Sequence, residues 1–301
     1  MTRVEWPTVV LLAAVYLAFA GASVWLADVS LPLAVLATSL ILAQYSSLQH
    51  EVLHGHPFRS QWLNELLVFP GLTLFVPYGR FRDLHLAHHH DERLTDPYDD
   101  PETNYLDPAV WERLSWVLKL VLRANNVLLG RMLIGPLVGL FSFYRNDIRL
   151  IVSGDGAVLR AWLWHFAGVA LLVLWLLWMT DLPLWAYGAA AYLSNSWLRI
   201  RTFLEHQAHE RASGRTVVIE DRGVLALLFL NNNFHVVHHM HPKVAWYRLP
   251  DLYARNRAHY LNRNGGYVYR SYAEVFRQFL FRPKDPVPHP LWKRGSRSGE
   301  G

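Results

Sequence analysis

The chain has 301 residues, 52% of them hydrophobic, a formal net charge of +5 and no cysteine. Without thiols, disulfides, thiolate metal ligands and iron–sulfur clusters are excluded, so any metal would be held by histidine, carboxylate, carbonyl or water. The basic residues are interleaved with apolar ones, which favours a membrane surface as the partner and argues against nucleic acid.

Four apolar runs predict membrane-spanning helices at residues 8–27, 31–49, 161–180 and 184–203. About 20 helical residues cross ~30 Å of hydrocarbon, a length that the first three runs reach without a charge. The fourth run is weaker and needs Arg199 and Arg201 to extend toward the interface. A signal peptide is the alternative for the first run, but that run exceeds the usual ~7–15 apolar residues and a second span follows at once.

The four spans pair into two hairpins, whose turns at residues 28–30 and 181–183 contain no Lys or Arg. The positive-inside rule therefore places both termini and the long basic segments in the cytoplasm. We expect an all-α integral membrane protein with four transmembrane helices in two hairpins. One domain, residues 1–281, would include a cytoplasmic helical cap, residues 50–160 and 204–281. The Pro-rich, charged residues 282–301 predict a flexible tail.

Two further apolar stretches complicate the count of spans. Residues 66–78 are broken by two prolines, and residues 127–144 contain Arg131 and Pro136. If either crossed the membrane, the histidines before and after it would lie on opposite sides, so we interpret both as re-entrant or interfacial. The helical spacing of apolar and basic residues over 111–123 predicts a helix on the membrane surface.

Histidine is concentrated in three short windows that hold eleven of the 16 histidines. The windows are His50, His54 and His56; His85, His88, His89 and His90; and His235, His238, His239 and His241. Imidazole is a common ligand of iron, zinc and copper, and several imidazoles at helical spacing predict a metal site.

The second and third windows each carry histidines at positions i, i+3 and i+4, which share one face of a helix. We therefore expect His85, His88 and His89 to converge on one point, and the third window to repeat this pattern. His50 and His54 have i, i+4 spacing. A helix from Leu31 to His54 would be about 36 Å long, so both would project past the cytoplasmic boundary. The fourth span is expected to continue as a helix to His206, which would lie at a similar height, with His209 at i+3 on the same helical face.

Nine imidazoles are too many for one ion and suit two ions with four or five nitrogen ligands each. The predicted ligands are His50, His54, His85, His88, His89, His206, His235, His238 and His239. Side chains that orient such rings or hold a water are expected nearby. The candidates are Asn232, Asn233, Glu205, His209 and Asp96. We interpret His56, His90, His165, His241, His259 and His289 as non-ligands.

These residues resemble the membrane fatty acid desaturase and hydroxylase superfamily, which carries the histidine boxes HxxxH, HxxHH and HxxHH. The boxes here are His50–His54, His85–His89 and His235–His239. The chain is also similar in Asp96-Pro97 and Asp100-Pro101-Glu102 after the second box, and in Asn231-Asn232-Asn233 before the third. The sequel His239-Met240-His241-Pro242 and the later Arg248-Leu249-Pro250 look most like acyl desaturases.

The resemblance implies two iron ions held by the nine histidines, O2 as co-substrate, and removal of hydrogen from an unactivated C–H bond. It implies no catalytic residue beyond the metal ligands. Electrons would come from a ferredoxin, a rubredoxin or a cytochrome b5. The sequence shows no His-Pro-Gly-Gly haem motif, so we expect this donor to act in trans. The expected substrate is a lipid or another aliphatic molecule.

The leading hypothesis is desaturation of a fatty acyl chain or a similar aliphatic substrate. A hydroxylase or ketolase of a carotenoid, sterol or alkane would carry the same boxes, as would a desaturase of a small amphiphile. A histidine-rich metal transporter is the rival from another class. Transporters place ionisable ligands near the bilayer midplane, whereas the histidines here lie at or beyond helix ends.

Overall fold

The computed structural model describes residues 4–89 and 91–292, which are mostly helical. In chain order the helices are α1 (Trp6–Val29), α2 (Leu31–Leu53), α3 (Gln61–Leu67), α4 (Tyr78–His88), α5 (Pro108–Arg113), α6 (Trp116–Ala124), α7 (Leu128–Val152), α8 (Gly156–Met179), α9 (Leu184–Thr202), α10 (Val224–Leu228), α11 (His235–Met240), α12 (Leu249–Arg255), α13 (Arg257–Arg263) and α14 (Tyr272–Phe279). Two short strands, β1 (Val218–Ile219) and β2 (Val268–Tyr269), pair in parallel.

Within the described residues, three helices are long and apolar enough to cross a membrane, namely α1, α2 and α8. They correspond to the first three predicted spans. The structure extends α2 to Leu53 and begins α8 at Gly156, earlier than the predicted residue 161. The fourth predicted span is a continuous helix, α9, but Arg199 and Arg201 in its last turn lower its apolar character. A fourth crossing therefore stays a prediction.

The long helices enclose one apolar core and expose apolar side chains outward. Leu42, Leu172 and Tyr187 are buried together between α2, α8 and α9. Side chains such as Leu163 and Phe166 on α8 are more than half exposed. A broad exposed apolar surface is what a lipid-facing helix presents. The chain is accordingly a membrane protein, in keeping with its three apolar helices.

An irregular segment, residues 68–77, connects α3 to α4 and runs among the long helices. The segment lies within residues 66–78, which the sequence analysis interprets as re-entrant or interfacial, and we call it the re-entrant segment; its position relative to the membrane stays a prediction. Its carbonyl oxygens, together with that of Leu67, accept hydrogen bonds from one side chain on each of five long helices. The donors are Tyr16 on α1, Tyr45 on α2, Tyr144 on α7, His165 on α8 and Tyr187 on α9. Non-helical backbone away from water is tolerated only where protein groups satisfy it, and these donors meet that requirement.

The residues between the second box and α8 differ from the expected layout at the predicted surface helix. The predicted surface helix over 111–123 is divided into α5 and α6, because the Ser115 side chain accepts from Leu118 N and begins a new helix. No residue of α6 is buried, and Lys119 and Arg123 lie over the Trp111 ring. The stretch 127–144 belongs to a continuous helix, α7, that includes Pro136.

The expected flexible tail is wrong for residues 282–292, which are packed against the cap. The backbone N–H of Leu106 donates to Val287 O at 3.0 Å, and His289 N–H donates to Leu106 O at 2.8 Å. Val287 and His289 are buried, and the His289 ring packs edge-on against Tyr105. The buried Val287 side chain and the contact between the His289 and Tyr105 rings anchor this segment, although its composition is polar. Residues 293–301 lie outside the described residues.

Candidate metal centre

Four chain segments bring the predicted ligands together. His50 lies in the last turn of α2, and His54 caps that helix before Gly55, whose φ of +94° ends it. The second box lies at the C-terminal end of α4, and the third box occupies α11. His206 lies just beyond α9, where its backbone bridges to Thr216 in the cap.

The nine predicted ligands form two adjacent groups. In each group the ligand atoms all lie within 4.8 Å of one another. Group A contains His50, His54, His85, His89 and His238, and group B contains His88, His206, His235 and His239. The groups share a wall, because the rings of His89 and His239 stack with centroids 4.4 Å apart.

The expectation that each box converges on a single point is wrong, because both boxes with three histidines are divided between the groups. The i, i+4 pair His85 and His89 enters group A, while His88 between them enters group B. The third box is divided the opposite way: its i, i+4 pair, His235 and His239, belongs to group B, and His238 belongs to group A. Residues i+3 and i+4 differ by about 100° around a helix, enough to direct adjacent rings to different centres.

Within each group the Nε2 atoms approach one another closely. In group A, His85 Nε2 lies 3.0 Å from the Nε2 atoms of both His50 and His89. In group B, His206 Nε2 lies 2.8 Å from His88 Nε2 and 3.0 Å from His235 Nε2. Two nitrogens ~2.1 Å from a shared ion and at a right angle to each other would be about 3.0 Å apart, so this spacing is what metal ligands require.

The other ring nitrogens fix the tautomers of three ligands. His85 Nδ1 lies 3.0 Å from Glu102 Oε1, and His88 Nδ1 lies 2.7 Å from Asp100 Oδ1. His235 Nδ1 lies 3.2 Å from Asn232 Oδ1. Because an oxygen acceptor faces each Nδ1, the proton resides there and the Nε2 lone pair is free to bind a metal.

These features fit a pair of metal ions better than a network of hydrogen bonds. His88 and His235 both direct Nε2 lone pairs at His206 Nε2, which has at most one proton to donate. In group A the Nε2 atom of His54 is buried and has no hydrogen-bond partner among the described residues. Nitrogen lone pairs directed at one point repel each other unless a cation lies between them. An all-imidazole set suits iron, zinc or copper.

The electrostatics of the centre also favour a cation. Burial lowers the pKa of His235 and His238 well below the ordinary histidine value, and the neighbouring imidazoles lower it further. Burial opposes protonation of His88 as well, but the carboxylates of Glu102 and Asp100 outweigh it and raise the pKa of His88 to about 9. Most rings are thus neutral and able to ligate, whereas His88 would release its Nε2 proton when a metal binds. The surrounding carboxylates attract positive charge.

Two of the predicted supporting residues contact group B. Asn232 lies against His235, and Glu205 Oε1 lies 3.8 Å from His235 Nδ1 and 3.1 Å from Arg201 Nε. Asn232 Nδ2 also donates to Glu205 at 3.4 Å. These contacts tie the third box to the residues that follow α9.

The structure does not bring the other three candidates to the rings. Asn233 donates its side-chain N–H groups to Ile219 O and Asp221 O, so it secures β1. His209 Nδ1 faces the backbone of Arg211, because the helix ends at Thr202 and the expected helical face does not exist. Asp96 accepts from the N–H groups of Tyr98 and Asp99 in its own turn.

Asp100 and Glu102 contact the second box but are not among the predicted supporting residues. Their signal in the sequence is the Asp100-Pro101-Glu102 tripeptide that follows this box. Among the predicted non-ligands, His56 pairs with Glu5 at 2.7 Å and His165 donates to Leu74 O. His90 lies outside the described residues.

The family model described as fatty acid desaturase matches residues 23–272, which include all nine clustered histidines and both groups. No curated protein matches the chain. The match spans most of the sequence and agrees with the box spacing and the apolar helices. The chain belongs to the fatty acid desaturase family.

Proposed function

We propose that this protein is an O2-dependent di-iron desaturase that introduces a double bond into a fatty acyl chain or a similar aliphatic substrate. Its family implies oxidase activity of the desaturase or hydroxylase type. The observation that carries the proposal is the pair of adjacent all-imidazole groups, five rings beside four. One structural ion would need only about four ligands.

In this proposal the nine imidazoles hold two irons, which supply the activation of O2 that attack on an aliphatic C–H bond requires. Asp100, Glu102 and Asn232 keep protons on Nδ1 of their ring partners and leave Nε2 for the metals. Burial of the rings excludes bulk water, which would quench a reactive oxidant. Desaturation consumes O2, two electrons and two protons, and releases two waters with the alkene.

We propose four spans, with both termini and the metal centre on the cytoplasmic side. The convergence of the second and third boxes requires an even number of membrane crossings between them. Helices α8 and α9 supply two, so α7 would stay on one side of the membrane. Turns without Lys or Arg at the far ends of the hairpins support this orientation.

Electrons would come from a separate ferredoxin, rubredoxin or cytochrome b5. A chain without cysteine cannot ligate an iron–sulfur cluster through thiolates. The net charge of +5 suits an acidic protein partner.

Reconstitution tests this function. Purified protein loaded with Fe²⁺ would receive ferredoxin, its reductase, NADPH and a fatty acyl substrate in detergent or nanodiscs. A product lighter by two hydrogens supports desaturation. A product heavier by one oxygen that derives from ¹⁸O-labelled O2 would assign the protein to hydroxylation. If neither product forms from fatty acids, alkanes or carotenoids, the proposal is contradicted.

A further inference from the structure

A cavity of about 640 Å³ lies between α3, α4 and the first turns of α8, outside the two histidine groups. Its volume is within the range of small-molecule sites. Trp62 and Trp164 line it and are 68% and 66% exposed, whereas Val68 and Gln49 line it and are buried. The cavity therefore extends from the apolar outer surface inward. Gln49 directly precedes the group A ligand His50 on α2.

The re-entrant segment 68–77 forms one wall of this cavity. Val68, Phe69, Thr73 and Val76 line it. Four of the side-chain donors described above bond to the backbone of this segment, and Tyr16 bonds to Leu67 directly before it, so the wall has a defined shape. At Gly71 the segment approaches α8 so closely that a Cβ atom would lie 2.9 Å from Val169 Cγ2. A fixed apolar wall of this kind suits a hydrocarbon chain.

Charged side chains line the same cavity. Arg82 is already engaged, since it pairs with both Glu65 and Asp83. Arg160, in the second turn of α8, is exposed, and among the described residues no carboxylate forms an ion pair with it. A guanidinium matches the planar geometry of a carboxylate and also binds phosphate. Arg160 thus offers a binding group for an anion near the end of an apolar cavity.

We propose that this cavity binds a single-chain amphiphile with an anionic head, with the head against Arg160 and the hydrocarbon along the re-entrant segment toward His50. The molecule would enter sideways from the membrane, between Trp62 and Trp164. That this route delivers the substrate rests on the proposed function, whereas binding itself does not require the metals. A carboxylate or a phosphate head would satisfy Arg160 equally.

Photo-crosslinking of the full-length protein in phosphatidylcholine nanodiscs tests the site. The probe is a long-chain fatty acid with a diazirine near the end of its chain, and mass spectrometry locates the adducts. We expect adducts within residues 62–83 and 157–165. Ala157→Trp narrows the cavity and should reduce labelling about tenfold. Ala167→Trp is the matched control, because Ala167 is exposed on the same helix but does not line the cavity.

A second pair of probes tests the head group. The corresponding diazirine alcohol should label about tenfold less than the acid, since one charge-assisted hydrogen bond is lost. Arg160→Gln should abolish that difference, while Arg149→Gln on α7 should preserve it. A lysophosphatidic acid probe distinguishes the two anions: labelling that exceeds that of the fatty acid would assign the site to phosphate.

Two results would overturn the proposal. One is labelling spread evenly over the exposed faces of α1, α2 and α8. The other is equal labelling of the Ala157→Trp and Ala167→Trp variants. Because crosslinking does not depend on turnover, specific labelling without any oxidised product would reject the proposed function and retain the binding site. Oxidised product without specific labelling would retain the proposed function and reject this cavity as the binding site.

Discussion

The Nδ1 nitrogen of His88 lies 2.7 Å from the Oδ1 oxygen of Asp100, and both side chains are buried. The same carboxylate accepts the backbone N–H groups of Thr95 and Glu102. Asp100 thus joins the second histidine box to the loop that follows it. It also fixes the ring of His88, which belongs to group B although His85 and His89 of the same box belong to group A.

Substitution of Asp100 should therefore weaken metal binding in group B. In Asp100→Asn the side chain keeps its shape but loses its charge, so the proton on His88 Nδ1 is less firmly held. We expect metal affinity at group B to fall about 10–100-fold, while group A retains its ion. Metal content per chain after dialysis against a chelator gives the measurement. Asp251→Asn, an exposed acid on α12, is the control, and equal metal retention in the two variants would refute the role of Asp100.

The third box supplies ligands to both groups, so two of its histidines can be substituted separately to test each group. His235→Ala removes a ligand from group B, and His238→Ala removes one from group A. Each variant should fall from two irons per chain toward about one, and the double variant should approach none. His259→Ala, outside both groups, should keep two. Elemental analysis of purified protein gives the count. A single zinc that survives every substitution would contradict a two-ion centre.

Membrane topology is open to a clean labelling test, because the native chain has no cysteine. A cysteine at Ser30, between α1 and α2, should react with an impermeant maleimide applied outside intact cells. A cysteine at Ser153, between α7 and α8, should react only after permeabilisation, since α7 is expected to stay on the cytoplasmic side. Labelling of Ser153→Cys from outside would show that α7 crosses the membrane.

A buried ion pair should stabilise the helix that carries the second box. Arg80 on α4 donates to both oxygens of Asp147 on α7, at 3.0 and 2.9 Å, and Trp162 on α8 donates to the same carboxylate. Arg80→Lys loses the two-point geometry, so we expect the melting temperature in detergent to fall by about 5 °C. Arg145→Lys, an exposed site on α7, should melt like the wild type. A fall of the same size in both variants would reject a specific role for the pair.

Local patterns predicted the elements of this protein well. Helical spacing identified the three boxes, and uncharged runs identified α1, α2 and α8, because both signals depend on residues close in sequence. The two prolines in residues 66–78 correctly indicated a segment that does not cross as a helix. The turn of helix beyond α9 was predicted wrongly: the chain leaves the helix at Thr202, and His206 reaches group B from an irregular segment.

The amino-acid sequence was enough to indicate a membrane-embedded member of a three-box family, with nine histidines available to metals. Three features became visible only in the folded chain: which ring belongs to which group, the support that Asp100 and Glu102 give to the second box, and the packing of residues 282–292 on the cap. Helical periodicity places side chains on a face, but it cannot specify which neighbouring segment that face meets. The allocation of His88 and His89 to different groups depends on where α2, α11 and His206 come to lie, and those positions follow from long-range packing.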